Sequence, residues 1–443
     1  MSGAEMTVFL GGEFMVTLWG AYQPTGKYSG DTSTPRDHLL EVGTTVHGRP
    51  GRRVSIYRVF PVGNCLRGPC RSRSQVADPA PWPTPSHGAC SAGDTTNGNR
   101  MHPYHGQMSA STTILDNIGD TPQLKLNHVT DSLDADSFVK CEFMTPGGSI
   151  KDRMALCMIE GAERRGDLQP GGTILDQSTG NTGPALAFVG AVKGYDVRLF
   201  LPVQLSSSYD PADRIRIALQ YGCEVTPIDL NDHMEGAGQL GGLERAAAFV
   251  AIRMKHCHDL QLGDPSVWWA NQLCNEDNTR AHREHTGREI LQQMDGPSDG
   301  WGASVGTGGT LLGVAQLLRV GNPGMKVNSV VPTDDSRLEW VRTRAIHQAL
   351  DRLGVPGMRF LMEDLLEGEI MDAEVTVENR VARNMADRLC REEGLYCGMS
   401  SGANVHAAIE MARTLGSGSR IVTVLVDRRD RYISEHPDEH YVV

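Results

Sequence analysis

The chain has 443 residues, a hydrophobic share of 39%, a charged share of 22% and a formal net charge of −12. This is ordinary globular usage, enough for a sizeable core in one large domain or roughly two to three smaller ones. The acidic balance excludes a nucleic-acid binder with a basic face, and no apolar run reaches the ~18–20 residues that a bilayer-spanning helix needs.

Residues 1–107 are rich in Gly, Pro, Ser, Thr and Arg, with PAPWPTPSHG at 79–88 and little periodicity. Such text is poorly suited to building a core, and a disordered or loosely attached extension is expected. No basic start leads into a clean apolar block and a small-residue cleavage site, so no signal peptide is read here. Met101 and Met108 are candidate translation starts. The ten cysteines show no Cys-x-x-Cys pair and no framework spacing. Reduced, buried thiols in a cytoplasmic protein without a metal site are expected, Cys157 and Cys390 falling within helical apolar patterns.

From Ile114 onward strand-like and helical runs alternate. Lys151 opens a segment with apolar residues at Met154, Cys157, Met158 and Ala162, the spacing of a helix, which Gly166 and Pro170 then stop. Thr173–Asp176 reads as a short strand, followed by the loop STGNTG at 178–183 and a helix over PALAFVGAVKG. Val197–Leu201 is a buried strand ended by Pro202. Ala303–Val305 leads into GTGGT at 306–310 and a helix over LLGVAQLLRV. GMSSG at 398–402 precedes a helix over NVHAAIEMARTLG, and Ile421–Val426 is a last buried strand. Continuous apolar strands between helices imply an α/β fold with a parallel sheet covered on both faces.

Four of these segments suit one ligand. Lys151 follows a Gly-Gly-Ser turn, and a lysine amine attacks an aldehyde when burial beside a cation lowers its pKa. Gly306, Thr307, Gly308, Gly309 and Thr310 lie between a strand and a helix, where backbone N–H groups and the helix terminus favour a phosphate. The 178–183 loop occupies an equivalent place and suits a carboxylate, unless its Ser, Thr and Asn are only helix caps. Ser400 offers a neutral hydroxyl to a pyridine nitrogen, which suits α-proton loss with expulsion of a β-leaving group, or else it is a helix cap. An aldehyde that carries a phosphate, pyridoxal 5'-phosphate, answers to all four.

With the loops in this order, the chain resembles the cystathionine β-synthase and cysteine synthase family of pyridoxal-phosphate fold type II. The resemblance runs from ILDNIGDTPQLKLN at Ile114 to about Tyr432, and includes IEGAERRGDLQPGGTI and EILQQMDG. It implies two doubly wound, mostly parallel α/β domains with the cofactor cleft between them. The smaller, mobile one would span about 146–265 within a catalytic core of 108–443. It implies that Lys151 carries the cofactor as a Schiff base and moves the α-proton, that Asn181 bonds the ring oxygen, and that Gly306–Thr310 cradle the phosphate. Ser400 would face the ring nitrogen. Ser178, Thr179, Gly180 and Thr182 would hold the substrate carboxylate, with Gln272.

The resemblance further implies β-replacement on serine or an activated serine by a thiol, through an aminoacrylate, in a homodimer acting on small molecules. KCEF, ASVGTGGT and LYCGMSSG look nearer to cystathionine β-synthases, so cystathionine synthesis from serine and homocysteine is the first expectation and sulfide-dependent cysteine synthesis the second. A catalytically silent relative is the distant third. The chain departs from the family pattern in the order Ser178-Thr179, at Tyr209-Asp210-Pro211, in GVPGMRF at 354–360, and in keeping Asp427 without a preceding proline. These changes put the nucleophile in doubt, not the cofactor. Cys90 with His102 or His105 parallels a haem ligand pair only loosely, and no haem is expected.

Overall fold

The computed structural model describes four strands within the first 61 residues. From residue 110 onward it describes the chain except for residues 203–211, 230–239, 334–336, 356 and 436–443. Two compact units result, Met1–His102 and Pro103–Val443, each described by itself. In the first, β1 (Ala4–Leu10), β2 (Phe14–Ala21), β3 (Leu39–His47) and β4 (Arg53–Pro61) pair antiparallel in that order. Cys90, His102 and His105 lie outside the described residues.

The second unit opens with β5 (Gln123–Lys125) and β6 (Asp136–Cys141), followed by α1 (Lys151–Arg165). The expected apolar stripe holds: Met154, Met158, Ile159 and Ala162 are buried. Gly166 ends the helix at φ 79°, a left-handed conformation that glycine adopts without a Cβ penalty. Next come β7 (Thr173–Asp176), α2 (Thr182–Lys193), β8 (Asp196–Pro202), α3 (Ala212–Gln220), β9 (Glu224–Ile228), α4 (Gly242–Gly263) and β10 (Val267–Trp269). These strands form a parallel sheet in the order β10-β7-β8-β9.

The chain then returns to the first sheet. α5 (Glu276–Ala281), a π-helical turn over His282–Gly287 and α6 (Arg288–Gln293) lead into β11 (Gly300–Ser304) and α7 (Gly309–Gly321). β12 (Lys326–Pro332), α8 (Arg337–Arg342), α9 (Ala345–Arg352), α10 (Leu361–Glu367), β13 (Ala373–Val377), α11 (Asn379–Glu393), α12 (Met399–Leu415) and β14 (Arg420–Leu425) complete it. The six strands run β13-β12-β11-β14-β6-β5, parallel except for the edge pair β5 and β6. Antiparallel β5 is admissible because it caps an edge. The segments at Lys151, 178–183 and 306–310 follow the carboxyl ends of β6, β7 and β11, where open α/β sheets hold their ligands, whereas 398–402 follows α11.

The helix expected from Asn404 begins five residues earlier, at Met399. Gly402 is therefore inside a helix and not in a loop. A Cβ at Gly402 would overlap the carbonyl of Ala382, so the glycine is required where α11 and α12 pack closely. Ser400 sits in the first turn of α12, and the cap position is Gly398 with no side-chain cap. The N-cap reading of Ser400 is thereby corrected.

Candidate active site

Lys151 is the first residue of α1, partly buried, behind a turn that is pinned from two directions. The Ile150 amide donates to the Val426 carbonyl at 2.8 Å, and Ser149 bridges to Asp427. The Asp152 carboxylate accepts from the Gly147 amide at 2.7 Å. Burial, then the charge of Arg337, lowers the Lys151 amine to about 8, against a smaller opposing pull from Asp427. Near neutrality a useful fraction of the amine is thus a free nucleophile.

Behind Lys151 the helix is clamped by a buried network. Arg153 donates to Glu142 at 2.6 Å and to Glu289 at 2.6 Å, while Lys140 pairs with Glu289 at 2.6 Å. Thr121 completes it, donating to Glu142 at 2.7 Å. Burial alone would raise the Glu289 carboxyl, but Arg153 and Lys140 hold it down at about 2. Two cations against two anions leave no uncompensated charge, the condition under which buried ions are tolerated.

The Gly306–Thr310 loop forms the turn into α7. Gly308 has φ 95°, and a Cβ there would meet Leu365 at 3.2 Å and the Met362 backbone at 3.3 Å. A Cβ at Gly309 would overlap the Asn278 side chain. The loop's three glycines therefore leave backbone amides bare at a helix start, and it fits a phosphate. Thr307 Oγ1 accepts from Asn278 at 2.8 Å, which leaves its own proton for another acceptor. Thr310 Oγ1 lies 3.2 Å from His282 Nε2, whose other nitrogen faces Thr286 at 3.1 Å. Burial and the charge of Lys151 keep His282 well below its ordinary pKa, so the imidazole is neutral.

The 178–183 loop comes from the other sheet. Ser178 Oγ accepts from the Gly180 amide at 3.1 Å, and Thr182 Oγ1 donates to Gln272 at 2.5 Å. The structure thus brings Thr182 and Gln272 together. Asn181 stands at the N-cap of α2 but makes no cap bond. Its amide donates to Asp427 at 2.5 Å and accepts from Arg431 at 2.9 Å. The capping alternative is corrected for this residue, because the side chain is committed across the site.

Two hydrogen-bonded relays join the loops. One runs from Thr182 through Gln272 and Asn278 to Thr307, with Asn278 donating to the Gln272 carbonyl at 2.9 Å. The other runs from Gly147 through Arg431 and Asn181 to Asp427, which also accepts from Tyr432. Arg214 lies over the Tyr432 ring at 4.6 Å. Ser400 is partly buried, and the same segment is tied to Asp427 by the Gly398 amide at 3.0 Å.

Sequence reasoning missed Asn278, His282, Arg337 and Arg431 at this site. Asn278 and His282 lie four apart on one helical stretch, the spacing of neighbours on a face, which is the signal that was available. Arg431 and Arg337 carry no such mark. The described cysteines are all free thiols; burial pushes Cys141, Cys223, Cys274 and Cys397 up to about 12. No cluster able to hold a metal ion occurs among the described residues, and no described helix is long and apolar enough to cross a membrane.

A partly buried lysine that feels the charge of Arg337, which itself lies against Gly306 of a glycine loop at a helix start, fits a site for a phosphorylated aldehyde. A family model for pyridoxal-phosphate dependent enzymes matches residues 114–427. The chain is 37% identical over 321 residues to a cysteine synthase of Staphylococcus aureus, covering 72% of this chain and 94% of that protein. It is 32% identical over 346 residues to a cystathionine beta-synthase of Mus musculus, covering 77% of this chain and 58% of that protein. The crystal structure of an O-ureido-L-serine synthase aligns with a TM-score of 0.60 at 29% identity, over 76% of this chain and 98% of that one. The chain belongs to the pyridoxal-phosphate-dependent enzyme family of fold type II, whose cofactor is pyridoxal phosphate.

Proposed function

We propose that this enzyme replaces the β-substituent of L-serine or an activated serine with a sulfur nucleophile. The observation that carries the reading is Lys151, lowered to about 8 and set among the Gly306–Thr310, Asn181 and Gly398–Gly402 segments. Bound pyridoxal phosphate supplies an electron sink for the α-carbanion. The protein does the rest. Lys151 holds the cofactor and moves the proton at the substrate α-carbon. Gly306, Thr307, Gly308, Gly309 and Thr310 bind the phosphate. Asn181, held by Asp427 and Arg431, orients the ring edge. The Ser400 hydroxyl would offer the ring nitrogen a neutral partner, which favours expulsion of a β-leaving group over transamination. Ser178, Thr179, Gly180, Thr182 and Gln272 hold the substrate carboxylate.

Serine with homocysteine, giving cystathionine, is the first reading, supported by the loop text around Glu142, Thr307 and Ser400. Cysteine synthesis from an activated serine and sulfide is the second, supported by the 37% identity to a cysteine synthase along nearly its whole length. A steady-state panel pairs serine and O-acetylserine with homocysteine, sulfide and ammonia. Homocysteine turnover above sulfide turnover upholds the first; the reverse establishes the second. The catalytic core is 108–443, in a cytoplasmic homodimer with a mobile part near 146–265. A chain that starts at Met108 should retain full turnover and elute as a dimer, and loss of either would show that residues 1–107 contribute.

A further inference from the structure

We propose that Arg337 is a further cofactor-binding residue, supplying the cation that recognises the phosphate of pyridoxal phosphate at the Gly306–Thr310 loop. The proposal rests on the assignment of that loop as the phosphate cradle.

Three observations converge. A Cβ built on Gly306 would lie 3.4 Å from Arg337 Nη1, which places the guanidinium against the first residue of the loop. The same charge reaches Lys151, where it is the leading electrostatic influence that lowers the amine. Aldehyde and phosphate are carried on one small ring, so a cation near both Lys151 and Gly306 is within reach of the ligand's anionic end. Finally, the stretch 304–313 holds no Lys or Arg. Its donors are neutral amides and hydroxyls, while a phosphate monoester is close to a dianion. A guanidinium adds the charge those donors lack and can bond two phosphate oxygens at once.

The fold explains the placement. Arg337 is the first residue of α8, just beyond the carboxyl end of β12, and β12 lies beside β11, whose carboxyl end leads into Gly306. Neighbouring parallel strands therefore deliver the glycine loop and the guanidinium to the same edge of the sheet.

The test uses the full chain stripped of cofactor and titrated with pyridoxal 5'-phosphate or with pyridoxal, the same aldehyde without phosphate. Absorbance of the lysine adduct reports both. Arg337→Gln should weaken pyridoxal phosphate by about tenfold or more beyond the smaller loss that both aldehydes share through the higher pKa of Lys151. Arg337→Lys should retain part of the preference, and inorganic phosphate should compete in the native protein and less in Arg337→Gln. Undiminished pyridoxal phosphate affinity in Arg337→Gln, beside native protein that labels at Lys151, would overturn this proposal alone. So would an equal loss for both aldehydes, which marks a merely structural role. Native protein that takes up neither aldehyde at Lys151 would overturn both this proposal and the reading beneath it.

Discussion

The two ends of the site are built by different means. At the Gly306–Thr310 end the surface is mostly backbone with two threonine hydroxyls, shaped by glycines whose missing Cβ atoms are required by Leu365, Met362 and Asn278. At the 178–183 end the surface carries side chains that already have partners, Ser178 in the Gly180 amide and Thr182 in Gln272. Backbone donors need no rearrangement to meet a permanent ligand. Hydroxyls bonded to an amide or to Gln272 can exchange those partners for a carboxylate that comes and goes. The contrast matches a resident phosphate at one end and a passing substrate at the other.

Breaking the scaffold common to both ends should have the largest effect. Arg153→Met leaves Glu142 and Glu289 buried without their shared cation and should cost about 3–5 kcal/mol of stability. Denaturant unfolding at neutral pH measures it, and a loss near zero would show that the network is dispensable. The ends themselves should separate. Gly308→Ala forces a left-handed residue and a tight contact at the phosphate end, and should weaken pyridoxal phosphate binding about tenfold. Gln272→Ala should spare that affinity and raise KM for the amino-acid substrate. Equal effects of both on cofactor binding would erase the distinction.

Two pH profiles sharpen the comparison further. Because Lys151 is lowered to about 8, capture of pyridoxal phosphate by the stripped protein should rise between about pH 7 and 9 and level off above. An ordinary lysine would keep climbing beyond pH 10 or so. The Asp176 carboxyl, at the foot of the 178–183 loop, is pushed up to about 7 by burial. The folded chain then holds that proton longer than the unfolded one, so its contribution is present at low pH and is lost as pH rises toward 7. Asp176→Asn should flatten that part of the stability curve, and an unchanged slope would assign it to other groups.

Much of this was legible beforehand, for identifiable reasons. Thr173–Asp176, Val197–Leu201 and Ile421–Val426 read as buried strands because both faces are covered, which removes any polar alternation. α1 was legible from its apolar spacing and its terminal Gly166. The start of α12 was not, because Ser-Ser-Gly reads as a loop unless the approach of Ala382 to Gly402 is known. Lys151 and Gly306–Thr310 were visible as local patterns, and Gln272 only through the family resemblance. Asn181 was a candidate from its loop, but its partners Asp427 and Arg431 lie about 250 positions away in sequence. Arg337 follows no motif, and only the pairing of β11 with β12 brings it to Gly306.

The central claim is a covalent one, and borohydride reduction of the cofactor-loaded protein followed by peptide mapping tests it most directly. A single pyridoxyl group on the Lys151 peptide, absent in Lys151→Ala, is the expected result. A pyridoxyl group on another lysine, or none, would contradict the account.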